Sequence, residues 1–369
     1  DKLVSSSTTT TISTTSPEIL RRQFLPNLKM KQLCTSEEVL KMEPTLNPEV
    51  CNDGAWYFED GWCLTDPGAV LKELAHSFVN NKKNGKGDGN SGELRMGSAV
   101  VDIVEVEDED RVENEDEGVC QGRQVRAILE DGTDVMADEI IIAAGAHSAS
   151  LVSSSMGEFC PLETERGYSI TFDNTDTVNN NDTRSSSSSS TDDKSASVST
   201  SASLPSLPSM SSSSSLLTRA VCDQRNGWIA TPMADGLRVA GKVELAIGGG
   251  TNVTACPPTP KIFDQLEQEA QQLLFEKENN NNKIVLGKRN QSKDWLGFRP
   301  TMPDALPVIG RSKKLPHSVY YAFGHQHIGW TLGGITGKLI SELVQDKTPS
   351  VDLTPYRLDR FHSLRGWWK

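Results

Sequence analysis

Ile140-Ile-Ile-Ala-Ala-Gly-Ala146 is the stretch on which the fold turns. Its isoleucines are apolar on both faces of an extended chain, the pattern of a central strand in a sheet covered on both sides. It leaves through Ala144, Gly145 and Ala146, whose small side chains permit close approach at the carboxyl end of a strand, where α/β sheets bind ligands. Any tight strand exit has this composition, so the stretch alone sets a fold class and not a function.

The neighbouring sequence alternates between the two periodicities. Residues 124–130 lead into Asp131-Gly132, a two-residue hairpin signal, and residues 100–106 are rich in β-branched side chains. Asp66-Pro67 starts a helix, with Asp as N-cap and Pro in its first turn, and Val70, Leu71, Leu74 and Phe78 follow at helical spacing. Strands begin again at Arg166, with Asp235-Gly236 as a tight turn between 228–233 and 237–246. One helix then carries Ile262, Leu266, Ala270 and Leu273 on one face. The last helix is expected over about 335–344, with Ile335, Leu339, Ile340 and Leu343 on its buried side. The expected class is α/β (α+β mixed), antiparallel strands interleaved with αβ units in two domains threaded by one chain.

Composition narrows the partners. The apolar fraction is 36%, a deficit concentrated in Ser-, Asn- and Asp-rich segments at 1–16, roughly 173–216 and 276–283, which are expected to be disordered. A formal charge of −13 argues against a nucleic-acid partner. No apolar run approaches the roughly 20 residues of a membrane span, so no integral membrane segment is expected. The seven cysteines form no C-x-x-C pair and have no histidine at zinc-ligand spacing. They read as free thiols, which fits an intracellular setting, cytoplasm or organelle matrix.

Four segments could carry chemistry. In Trp295-Leu-Gly-Phe-Arg-Pro-Thr-Met-Pro-Asp-Ala-Leu-Pro-Val-Ile-Gly310, three prolines follow Arg299 and stiffen its backbone. A guanidinium on such a frame suits bidentate capture of a carboxylate, although a surface arginine in a proline-rich connector has the same spacing. Phe323-Gly-His-Gln-His-Ile-Gly-Trp-Thr-Leu-Gly-Gly-Ile-Thr-Gly337 is a glycine-dense turn opening a helix, which aims free N–H groups at a ligand or is simply flexible. His325 and His327 have no third ligand nearby, so no metal is expected. The remaining two are the 144–146 strand exit and Arg166-Gly-Tyr168, whose tyrosine either lines a pocket or packs. There is no G-x-S-x-G elbow. The alternating glycines of Gly85-Lys-Gly-Asp-Gly89 follow no strand and are not a dinucleotide fingerprint.

Taken in order, these motifs resemble the D-amino acid oxidase superfamily of FAD-dependent oxidoreductases, and within it the bacterial-type D-amino acid dehydrogenases. The residues that carry the resemblance are Ala55-Trp-Tyr-Phe-Glu-Asp-Gly61, Asp66-Pro-Gly68, the 142–146 exit, Arg166-Gly-Tyr168, Ile229-Ala-Thr-Pro-Met-Ala-Asp-Gly-Leu-Arg-Val-Ala-Gly241, Gly297-Phe-Arg-Pro300, the 324–337 turn and Asp352-Leu-Thr-Pro-Tyr-Arg-Leu-Asp-Arg-Phe361. The resemblance implies an FAD cofactor, a small amino-acid substrate and hydride transfer from Cα to flavin N5, with a peripheral electron acceptor as a further partner. Sarcosine- or glycine-oxidase-like amine oxidation and a non-catalytic fragment are the alternatives.

The resemblance also assigns residues. Arg299, Tyr168 and His325 are implied on the substrate side. Val100, Ala144, Gly145, Ala146, Gly324, His327, Gly329, Trp330 and Thr331 are implied around the cofactor. It implies a disordered tail at 1–17, substrate-domain residues at 18–62, FAD-binding residues at 63–165, substrate-domain residues at 166–295 with an insert at 173–216, and FAD-binding residues at 296–369. The strand–G-x-G-x-x-G–helix unit that would hold the FAD pyrophosphate is expected to be missing, leaving an incomplete Rossmann-like domain.

Overall fold

The computed structural model describes residues 29–80, 92–106, 124–173, 178–179, 216–246, 251–273, 277–279, 282–284 and 286–364. The expectations for 1–17, for most of 173–216 and for the 85–89 glycines lie outside these residues. In chain order the strands are β1 (Met30–Leu33), β2 (Ala55–Phe58), β3 (Val100–Glu105), β4 (Val125–Leu129), β5 (Asp134–Ala137), β6 (Ile140–Ile142), β7 (Glu163–Phe172) and β8 (Val178–Asn179). They continue with β9 (Val221–Asp223), β10 (Trp228–Met233), β11 (Gly236–Ala246), β12 (Lys277–Asn279), β13 (Asn282–Ile284), β14 (Trp295–Thr301), β15 (Val308–Arg311) and β16 (Val319–Phe323). The helices are α1 (Ser36–Met42), α2 (Pro67–Val79), α3 (Ser148–Leu151), α4 (Pro260–Leu273) and α5 (Gly329–Val344).

The substrate-side layer is an antiparallel sheet in the order β14-β7-β11-β10-β9. The Asp235-Gly236 signal holds: Gly236, at φ 143°, sits where β10 turns into β11, and a Cβ there would lie 2.1 Å from the Phe172 carbonyl oxygen. α4 covers one face of this sheet. It buries Phe263, Leu266, Ala270 and Leu273 against Tyr168, Ile170, Phe172, Trp228, Ala230 and Val239. At about 1.5–3 kcal/mol for each large apolar side chain, this docking holds the layer together. Arg289 pins α4 to the entrance of β14 through Asp264 (3.0 Å), Glu267 (2.9 Å) and Asp294 (2.6 Å). The 276–283 stretch, expected to lack structure, contains the hairpin β12–β13.

The second layer is the sheet β15-β16-β6, in which β6 runs parallel to β16, beside the separate sheet β3-β4-β5. The Asp131-Gly132 signal also holds, with Gly132 at φ 84° in the β4–β5 turn. β6 itself departs from expectation. Among the described residues it is an edge strand, not a central one: β16 alone pairs with it, and Ile141 is 49% exposed while Ile142 is 2% exposed. The core of this layer, with Val152, Val308, Val319 and Tyr321, lies under Ile142 and the partly buried Ile140.

Two helices carry apolar residues that stay exposed. α2 begins at the expected Asp66 N-cap, whose carboxylate accepts from the Ala69 amide at 2.8 Å, yet Leu71, Leu74 and Phe78 are all exposed. α5 begins at Gly329, six residues before the expected start, because Gly333, Gly334 and Gly337 lower local helix propensity without breaking the helix. Leu339 and Ile340 are buried as expected, whereas Ile335 is exposed.

Candidate active site

β14 pairs along its length with β7: Arg299 faces Glu165, Gly297 faces Gly167 and Trp295 faces Ser169. Side chains alternate along a strand, so these six share one face of the sheet, while Arg166, Tyr168, Leu296 and Phe298 share the other. The first face is the one α4 leaves uncovered. On it the Arg299 side chain lies across β7, so close that a Cβ on Gly167 would stand 2.7 Å from its Nε and Nη2. The Trp295 ring lies over Gly297 in the same way, 2.4 Å from where a Cβ would be. The facing glycines are therefore a floor on which an arginine and a tryptophan can lie flat.

Arg299 is half-buried, and desolvation holds its pKa below the ordinary arginine value, opposed by the Glu165 carboxylate across the strands. Among the described residues no carboxylate comes within ion-pair distance of it. A desolvated guanidinium with no ion-pair partner among the described residues has its planar fork available to a carboxylate.

The Gly324 turn is stitched to the end of the same strand. Gln326 N donates to Pro300 O at 3.0 Å, and Thr301 bridges His325. Gly324 (φ 82°) and Gln326 (φ 50°) take the left-handed conformation that this reversal needs, and a Cβ on Gly324 would press within 2.8 Å of Met302. Arg299, His325, His327 and Gly329 are thus brought into one neighbourhood. His325 Nε2 lies 2.9 Å from Thr336 Oγ1, and burial lowers its pKa, which favours the neutral ring. His327, Trp330 and Thr331 are exposed at the start of α5.

Ala144, Gly145 and Ala146 leave β6 at the end where its parallel neighbour β16 runs into Gly324. Gly145, at φ 56°, has open space where a Cβ would point. Val100 opens β3 in the separate sheet and is 40% exposed. That strand is tied towards β6 by Ile103 N donating to Ser155 Oγ at 3.0 Å, in the turn after α3.

Tyr168 is turned away from Arg299. It packs edge-on against Phe263 with centroids 5.0 Å apart, donates to Glu244 Oε2 at 2.8 Å and accepts from Thr259 N at 3.1 Å. Its oxygen completes a buried cluster in which Glu244 also meets Arg166 Nη1 at 3.2 Å. Of the two readings of this tyrosine, the geometry gives packing. Trp295 and Gly167 carry no local sequence signal of a place on this face. Both follow from alternation in Trp295-Leu-Gly-Phe-Arg299 once its partner strand is known.

The residues present suit an FAD cofactor. α5 has no side-chain cap and no acidic residue in its first turn, so its amide end is available to an electron-rich group. Gly333, Gly334 and Gly337 leave open space along the helix, and Gly145 leaves it at the adjacent strand exit, which lets a planar group approach backbone. Among the described residues no group of three His, Cys, Asp or Glu side chains could hold a metal ion, and no helix is long and apolar enough to cross a membrane.

The sequence model of the family described as FAD dependent oxidoreductase (DAO) matches residues 17–343. A D-amino-acid oxidase of Bradyrhizobium diazoefficiens is 26% identical over 337 residues, covering 88% of this chain and 59% of the relative. A D-amino acid dehydrogenase of Vibrio vulnificus is 26% identical over 240 residues, covering 64% of this chain and 45% of the relative. This chain therefore spans about half the length of these relatives. In fold it is similar to glycine oxidase from Geobacillus kaustophilus (TM-score 0.58, 20% identity, 93% of this chain and 69% of that one). It is also similar to L-proline dehydrogenase from P. horikoshii (TM-score 0.59, 16% identity, 94% and 71%).

Proposed function

This chain belongs to the DAO family of FAD-dependent oxidoreductases, and we propose that it supplies the substrate-binding half of an enzyme that oxidises the C–N bond of a D-amino acid. The observation that carries this reading is Arg299: an unpaired, half-buried guanidinium on the open sheet face, tied through Pro300 and Thr301 to the Gly324 turn. A substrate carboxylate paired with Arg299 would leave its Cα beside the Trp295 ring, on the layer that Arg299 and Trp295 form over Gly167 and Gly297. When bound, FAD supplies acceptance of the Cα hydrogen as hydride.

What the chain's own residues contribute is orientation and polarity. Arg299 fixes the carboxylate, the two glycines let Arg299 and Trp295 lie flat on the sheet, and the uncapped amide end of α5 stabilises negative charge developing beside it. His325, whose charged form burial disfavours, buttresses the turn through Thr336. We assign 18–62 and 166–295 to the substrate domain and 63–165 with 296–369 to the cofactor side, except that β14 stays in the substrate-side sheet through Thr301. The six described cysteines are free thiols, which supports a reducing compartment.

The test uses the full-length polypeptide that contains these residues. Flavin absorbance on purification, bleached anaerobically by a D-amino acid, is the expected result. Bleaching by glycine or sarcosine but by no D-amino acid would overturn the substrate assignment. A protein that takes up no FAD would overturn the reading as a whole. Oxygen uptake against quinone reduction identifies the electron acceptor.

A further inference from the structure

Arg299 is not the only desolvated arginine on the open face. Arg238 faces Thr171 across β11 and β7, and its Nη2 donates to Ser169 Oγ at 3.1 Å. Its guanidinium also sits 5.5 Å from the centre of the Trp295 ring. Arg299 reaches the other way along β7, over Gly167. The two guanidinium groups therefore stand above Ser169 and Gly167, successive positions on one face of one strand, about 7 Å apart along it at ~3.3 Å per residue. Trp295 lies beside them, facing Ser169.

Arg238 and Trp295 also line a cavity of about 480 Å³ with Thr65, Gly68, Thr171, Met233 and Lys293. The acidic groups around it are already engaged. Asp235 pairs with Lys293 at 2.9 Å, and Asp66 caps α2 by accepting from Ala69 N. Arg238 makes no ion pair among the described residues, and desolvation lowers its pKa.

We propose that Arg238 is a specificity-determining residue that receives a second carboxylate, so that the preferred substrate is an acidic amino acid of aspartate or glutamate size. Arg299 takes the α-carboxylate, Arg238 takes the side-chain carboxylate, and the methylene groups between them lie against Trp295. The spacing suits a short diacid, whose two carboxylates can sit over the pair of cations, each facing its own. This inference rests on the proposed role of Arg299 and names the substrate class for that same site.

The experiment measures kcat/KM of the full-length enzyme for D-glutamate and for the near-isosteric D-norvaline, in wild type and in Arg238→Met, Arg238→Lys and Arg299→Met. Wild type is expected to prefer D-glutamate. Arg238→Met lowers the D-glutamate to D-norvaline ratio at least 30-fold, Arg238→Lys lowers it less, and Arg299→Met depresses both substrates. A wild type that prefers D-norvaline, or a ratio unmoved by Arg238→Met, overturns the proposal. Thermal protection by glutarate against butyrate is read on the same proteins and needs no turnover. Glutarate is expected to protect wild type more than butyrate does, with the difference lost in Arg238→Met. Equal protection overturns the second carboxylate site even in an active enzyme. A glutarate preference in a protein that oxidises no amino acid sinks only the proposed reaction.

Discussion

Gly167 and Arg299 occupy adjacent strands so that a methyl group on the glycine would stand 2.7 Å from the arginine's Nε and Nη2. The displaced group is the far end of a flexible side chain, so Gly167→Ala moves the arginine and leaves the sheet intact. The expected outcome is a stability change within about 1 kcal/mol and a KM for the amino acid raised roughly tenfold. Urea unfolding and steady-state kinetics on the same variant check both halves.

Removing the guanidinium itself has a larger effect. Arg299→Ala is expected to weaken substrate binding by roughly 2–5 kcal/mol, and Arg299→Lys recovers only part of this because an ammonium lacks the planar fork. An unchanged KM in either variant would take Arg299 out of the site.

Arg289 contributes to stability rather than to chemistry. It faces three carboxylates, and its pKa is driven up, first by Asp294. Arg289→Met leaves the partly buried Asp294 without its cation and frees α4 from the β14 entrance. A loss of about 3–5 kcal/mol is expected, seen as a lower urea midpoint. A midpoint within experimental scatter of wild type would show that α4 docks through its apolar face alone.

His325 has a folded pKa held below its ordinary 6.5 by burial. The unfolded chain then binds the proton more readily than the folded one, so this group's contribution is intact above the unfolded pKa and is lost as pH falls through 6.5 towards the folded value. Stability measured between about pH 7 and pH 5 should fall towards acid, and His325→Asn should flatten that part of the profile.

The layers of this fold that carry their own core were legible in the sequence. Asp235-Gly236 and Asp131-Gly132 mark their turns, and Leu266, Ala270 and Leu273 mark the α4 face, because turn chemistry and helical spacing are local. The site was legible as motifs but not as a surface. Which face of β14 Arg299 shares depends on pairing with β7, more than a hundred residues away, so Tyr168 was grouped with it although alternation puts the two on opposite faces. α1 was passed over despite a local signal: the Thr35 and Glu38 capping box is present, but the helix is short. β6 misled for the opposite reason. Its apolar sequence describes a covered setting that the described residues do not provide.

That uncovered strand has a practical consequence. Among the described residues one side of β6 has no pairing partner for its amide and carbonyl groups, beside an exposed Ile141, with no proline or charge within the strand to blunt it. Such an edge is a template for any extended segment that reaches it, including the same edge of a second molecule. Sedimentation of the isolated chain should therefore depend on concentration, and Ile141→Lys, which places a charge on the exposed side of the strand, should weaken that dependence while leaving the Arg299 face of the other sheet untouched.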